Sequence, residues 1–115
     1  MHEMGIAMQI VEIAQNAIPP GLENPAVARV NLRIGKMTAV VPDSLTFCFD
    51  IATRDTPLAG ASLVIEELPV NLRCRECDHQ WTVSSPEFIC PRCGNGKVDM
   101  LSGRELEIAS IELAD

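Results

Sequence analysis

Four cysteines in the order C-x2-C-x12-C-x2-C, at Cys74, Cys77, Cys90 and Cys93, constrain this chain more than any other feature of its sequence. Two residues between the members of each pair let both sulfurs of a tight turn face one point, so two such knuckles close a tetrahedral thiolate cage around one ion. In the second knuckle, Cys90-Pro91-Arg92-Cys93-Gly94, the glycine suits the positive φ often needed just after the turn. Zinc is the expected ion, and iron is the rival that four thiolates also suit. A cage with all four positions filled leaves no open site for water or substrate, so the metal is expected to support folding and not catalysis. A disulfide framework is disfavoured: Cys48 makes the cysteine count odd, and the first residues lack a cationic region followed by an uninterrupted apolar stretch. The thiols are therefore expected to be reduced and the chain cytoplasmic.

At 115 residues the chain can bury one modest core beside a metal-stapled module. Apolar residues make up 47%, charged residues 22%, and no apolar run approaches the roughly 20 residues a membrane helix needs. The formal charge of −7 becomes about −9 once four thiolates hold a dication, which argues against nucleic acid as a partner. From Arg73 to Asp99, however, Arg73, Arg75, Arg92 and Lys97 balance Glu76, Asp78, Glu87 and Asp99. These arginines flank the knuckles and are expected to offset the cage's negative charge, while Trp81 and Phe88 are the only stacking platforms there. There is no Gly-rich phosphate loop, and the only histidines are His2 and His79, so an enzyme is the least supported class. A nucleic-acid-binding four-cysteine module and a rubredoxin-like electron carrier are the alternatives to weigh.

Periodicity predicts an α+β chain. Ile6, Ile10, Ile13, Ala14 and Ala17 mark the apolar side of a helix over Met4 to Ile18, stopped by Pro19-Pro20-Gly21. Ala28, Val30, Leu32 and Ile34 alternate with Arg29, Asn31 and Arg33 as a half-buried strand, after which Gly35-Lys36-Met37 turns the chain. Pro42-Asp43-Ser44 opens a second helix carrying Leu45, Cys48, Phe49 and Ala52 at i, i+3, i+4 and i+7, which makes Cys48 an ordinary core residue. Ala61 to Leu68 returns as a strand, and the simplest closure of that strand–helix–strand unit is parallel and right-handed. Glu105 to Leu113 alternates again, with a phase slip at Ala109-Ser110 that points to a bulge or to burial on both faces, and it is expected to rejoin the first sheet. The resulting picture is a small sheet of about three strands packed with two helices, formed by 1–69 plus 99–115, with a zinc-ribbon-like module at 70–98 inserted between two strands.

The sequence starts Met1-His2-Glu3, directly before the first helix and with no leader expected. A bulky second residue disfavours removal of Met1. An unmodified Met1 amine, the His2 amide and the His2 imidazole then form fused chelate rings, with the Glu3 amide or carboxylate as a fourth donor. Such a near-planar, nitrogen-rich set favours nickel(II) or copper(II) over zinc. The residues by themselves equally suit an incidental exposed histidine and a glutamate placed by the helix dipole. His79, two residues after Cys77, is read as a loop residue beside Trp81, with replacement of a thiolate as its sharper alternative.

Met1-His2-Glu3-Met4 before an amphipathic helix, Val30-Asn31-Leu32-Arg33-Ile34-Gly35, Pro42-Asp43-Ser44-Leu45-Thr46-Phe47 and the four cysteines together resemble the HypA/HybF family of hydrogenase nickel-incorporation proteins, over essentially the whole chain. The resemblance implies a metallochaperone that binds nickel transiently at His2, assisted by the Met1 and Glu3 backbone or side chain. It also implies structural zinc at Cys74, Cys77, Cys90 and Cys93. As partners it implies the nucleotidase HypB and the large subunit of a [NiFe]-hydrogenase, with urease maturation proteins for some relatives.

Overall fold

In the computed structural model, which describes residues 2–83 and 88–114, the elements follow the order α1 (Glu3–Asn16), β1 (Val27–Gly35), a 3-10 turn (Lys36–Thr38), α2 (Pro42–Ala52), β2 (Ser62–Leu68), β3 (Asn71–Cys74), β4 (Gln80–Thr82), β5 (Val98–Ser102) and β6 (Leu106–Leu113). The strands form two three-stranded sheets, ordered β2-β1-β6 and β4-β3-β5. The α+β architecture of two helices with a small sheet and a separate cysteine-bearing module is therefore present. Two compact units divide the chain: Met1–Arg33 with Ala39–Glu66 and Glu107–Asp115, and Ile34–Thr38 with Glu67–Leu106. Among the described residues no helix is long and apolar enough to cross a membrane.

In the first unit α1 packs on α2. The buried stripe of α1 is Ala7, Ile10, Val11 and Ala14, so Ile10 and Ala14 of the expected stripe are buried, but the buried face is rotated toward Ala7 and Val11 and leaves Ile13 58% exposed. Apolar residues cover more than half the circumference of α1, and the face with Ala7 and Ala14, both fully buried, lets a neighbouring backbone approach closest. Pro42 occupies the first turn of α2, where its missing N–H has no intrahelical partner to lose, and Asp43 sits favourably at the same end. Leu45 and Phe49 are the buried residues of α2, whereas Cys48 is half-buried, more accessible than a core position. On β1 the core takes Val27, Val30 and Leu32, and Ala28 is exposed.

β6 rejoins β1, as its apolar alternation requires. Arg29 contacts Glu112, Asn31 contacts Ser110 and Arg33 contacts Glu107, a descending order that makes the pair antiparallel. No residue of β6 is fully buried; Ile108 and Ile111, its half-buried pair, are three apart, so each face of the strand turns partly inward. The Asn31 amide and then the Arg29 guanidinium hold the Glu112 carboxyl below its ordinary 4.5. A depressed carboxyl adds stability above its unfolded-state pKa and loses it as pH falls through the folded value. Glu112→Gln should therefore lower stability at neutral pH, change little at acid pH and so flatten the acid limb of the stability curve, as denaturant titrations at the two pH values would measure; an unchanged acid limb would refute it.

In the second unit β3 is central, pairing antiparallel with β4 through Leu72 and Trp81 and with β5 through Leu72 and Met100. The Asn71 side chain accepts from Thr82 Oγ1 at 2.6 Å and donates to Ser102 Oγ at 3.0 Å, tying all three strands across one end. The segment Ile34–Thr38 joins this unit through backbone contact: Gly35 N–H donates to Glu105 O at 2.7 Å and Met37 N–H to Gly103 O at 2.8 Å. A Cβ on Gly35 would overlap both C and O of Gly103, atoms of main chain that cannot rotate aside. Gly35→Ala should destabilise this unit by about 3 kcal/mol or more. Chemical denaturation measures that loss, and a near-neutral result would mean that the crossing yields.

Candidate metal centre

The two cysteine knuckles share one backbone plan. In the first, Asp78 N–H donates to Cys74 O at 3.0 Å and Cys74 N–H to His79 O at 2.8 Å; in the second, Gly94 N–H donates to Cys90 O and Cys90 N–H to Asn95 O, both at 2.9 Å. The residue four beyond the leading cysteine has positive φ in each, +59° at Asp78 and +76° at Gly94. Glycine enters that region freely and aspartate more readily than most other residues, so both knuckles suit their turns. The sequence signal was plain for Gly94 and easily missed for Asp78.

All four sulfurs lie within 4.8 Å of one another, with Cys74 to Cys93 at 3.5 Å and Cys77 to Cys90 at 3.6 Å. A disulfide needs about 2.05 Å, and the four are free thiols. Tetrahedral zinc with Zn–S bonds of about 2.3 Å sets sulfurs roughly 3.8 Å apart, so the cluster fits one such ion with small adjustments. Cys74 and Cys90 are buried, Cys77 is half-buried and Cys93 exposed. This is a four-cysteine metal-binding site that could hold a structural metal such as zinc.

The sulfurs titrate unequally. Burial pushes the Cys90 thiol up, but the backbone N–H groups of Cys93 and Arg92 and the sulfurs of Cys77 and Cys93 outweigh it and bring the group down to about 7. At Cys93 the Asn95 amide pulls down, while the Cys74 sulfur, burial and the other thiols prevail and push it up to about 12. Cys77 is also raised: the His79 amide lowers it, and burial with the Cys90 and Cys74 sulfurs overcomes that. The Cys90 thiolate thus forms easily, and those of Cys77 and Cys93 resist. A bound dication supplies the charge that lets them form, which makes metal affinity fall as protons compete at lower pH.

Beside the knuckles, Asp99 of β5 takes up Arg73 and Arg75, two of the three arginines expected to offset the cage. It accepts from Arg75 Nε at 2.8 Å and lies 3.5 Å from Arg73 Nη2, and hydrogen bonding from Arg75 leads in holding its carboxyl below its ordinary 3.8. Glu87, the third acidic residue in that charge balance, lies outside the described residues. The His79 ring stacks on Trp81, centroids 5.8 Å apart and planes 11° from parallel, and the described metal-ligating cluster consists of the cysteines.

The other expected site belongs to the first unit. His2 is exposed and caps the start of α1, its carbonyl accepting from Ile6 N–H at 3.3 Å; Met1 lies outside the described residues. Glu3 opens the helix half-buried, and its Oε1 accepts a hydrogen bond from Ser44 Oγ of α2 at 3.3 Å. Sequence reasoning read Ser44 only as part of a helix start. No local signal links it to Glu3, 41 residues away.

A family model described as hydrogenase/urease nickel incorporation, metallochaperone, hypA matches residues 1–113. The chain belongs to this HypA family. Relatives named hydrogenase maturation factor HypA include that of Desulfosudis oleivorans, 69% identical over the full length of both chains, and that of Desulfatibacillum aliphaticivorans, 55% identical over all of this chain and 88% of its own. The solution structure of the Ni metallochaperone HypA from Helicobacter pylori matches with a TM-score of 0.67 at 20% identity, over 98% of this chain and 97% of that one. A second solution structure of a HypA protein matches with a TM-score of 0.70, also at 20% identity, over 99% and 97%. The HypA fold is thus shared at an identity too low to carry side-chain roles across.

Proposed function

We propose that this chain binds nickel(II) reversibly at its N-terminus and passes it by ligand exchange to the large subunit of a [NiFe]-hydrogenase. Membership of the nickel-incorporation family carries the reading. The donors are the Met1 amine, the His2 amide and imidazole, and a Glu3 group. Exposure of His2 at the cap of α1 supports it, because a cargo ion must be reachable by an acceptor's ligands. Nickel enters and leaves here as substrate, and no covalent bond of a substrate is broken, so the chain acts without enzymatic turnover. The nucleotidase HypB supplies the energy-coupled step, and urease maturation proteins are the alternative recipients. Reduced thiols suit an activity in the cytoplasm.

In the same reading Cys74, Cys77, Cys90 and Cys93 hold zinc. The ion supplies a cross-link between the two knuckles, and the closed donor set keeps it out of the transfer path. Nickel titration of protein with a free Met1 amine, beside the same protein with a short N-terminal extension, tests the site. The extension removes the amine donor and should abolish stoichiometric binding while zinc content stays unchanged. Equal nickel binding by both forms would overturn the assignment.

A further inference from the structure

The contact between Glu3 and Ser44 has a second feature: while Oε1 accepts from Ser44, Oε2 is buried and accepts no hydrogen bond from the described residues. A carboxylate oxygen withdrawn from water is stable only with a donor or cation to meet it. The adjacent residue is His2. A histidine that binds a metal through one ring nitrogen donates its other ring N–H, most often to a carboxylate or carbonyl, and that second bond fixes the ring's tautomer and orientation. An imidazole loaded with nickel therefore brings the kind of donor that Oε2 requires.

We propose that Ser44 is a positioning residue for the nickel site: by holding Glu3 through Oε1, it orients the carboxylate so that Oε2 receives the free ring N–H of nickel-bound His2. The inference rests on the nickel reading above. It gives Glu3 a role outside the donor set through its side chain, and it makes α2, which carries Ser44, part of the site's support. At 3.3 Å the Ser44 bond is longer than the usual 2.5–3.0 Å or so for a hydroxyl donor, so the tether is loose and its removal should have a moderate effect.

The test titrates nickel(II) alone into untagged, zinc-loaded protein and records the ligand-field absorption of the bound ion. Glu3→Ala should weaken nickel about 10-fold, the usual effect of losing an outer carboxylate, and Ser44→Ala about 3- to 5-fold. In the Glu3→Ala background Ser44→Ala should have no further effect, because the two act in series. Ser44→Thr keeps the hydroxyl and should restore affinity. At saturation all variants should show the wild-type ligand-field bands, since no donor has changed. Wild-type affinity in Ser44→Ala, an equal loss with and without Glu3, or shifted bands in Glu3→Ala would each overturn the proposal. A merely structural role for Ser44 would lower the melting temperature irrespective of Glu3. Loss of nickel in His2→Ala with no effect of Ser44→Ala would sink the positioning role alone; retained nickel in His2→Ala would sink both.

Discussion

Replacing His2 should lower nickel(II) affinity by more than about 100-fold and leave zinc content, melting temperature and helix content unchanged. The magnitude follows from what is removed. Loss of a group outside the donor set typically weakens a metal about 10- to 100-fold, and the imidazole is a donor itself. The independence follows from where His2 sits: it is exposed at the cap of α1, contributes no buried side chain, and belongs to a different compact unit from the four cysteines. His2→Gln is the sharper variant, because a bulky second residue keeps Met1 in place and isolates the imidazole from the amine. Calorimetric titration with nickel, and metal analysis for zinc, decide the matter. Wild-type affinity in both His2→Ala and His2→Gln would remove the N-terminal site from consideration.

Stripping the cysteine cage should have the largest structural effect. Cys90→Ala, or a strong chelator, should release the bound metal and unfold Ile34–Thr38 with Glu67–Leu106, while α1 and α2 keep their fold. Among the described residues the second unit buries only Ile34, Val70 and Leu72 as apolar side chains beyond its cysteines, too few to offset the ordering of its backbone. Binding of a structural zinc supplies about 10–16 kcal/mol in small zinc modules, and that energy is folding energy. The first unit has its own core of Ala7, Ile10, Val11, Ala14, Val27, Val30, Leu32, Leu45, Phe49 and Leu58, none of which belongs to the cysteine unit. Amide hydrogen exchange resolved along the chain would show protection lost over 67–106 and kept in the helices. Protection retained throughout in the metal-free protein would mean that packing alone holds the module.

Much of the site was legible because its chemistry is local. The reach of a two-residue spacer brings the paired sulfurs of each knuckle together before any tertiary contact forms, and the positive φ at Gly94 answers a turn confined to its neighbours. The donors proposed around His2 are likewise adjacent along the backbone. Periodicity also placed the two helices and β1, β2 and β6. It did not resolve β3, β4 and β5, which are three to five residues long and broken up by the knuckles, too short for an alternation to declare itself.

The sequence by itself determined the grouping of the four cysteines, the element types of the longer segments and the family, since each depends on residue identity at short fixed spacings. Tertiary structure alone decided which stripe of α1 is buried, because eight of its fourteen residues are apolar and offer more than one stripe, and only close packing selects the alanine face. It decided that Ile34–Thr38 belongs with the cysteine unit, through a main-chain approach between Gly35 and Gly103 that no side-chain pattern encodes. It also joined Glu3 to Ser44. Contacts of that separation arise from the packing of α1 on α2, and a linear pattern holds no record of which residues two packed helices set face to face.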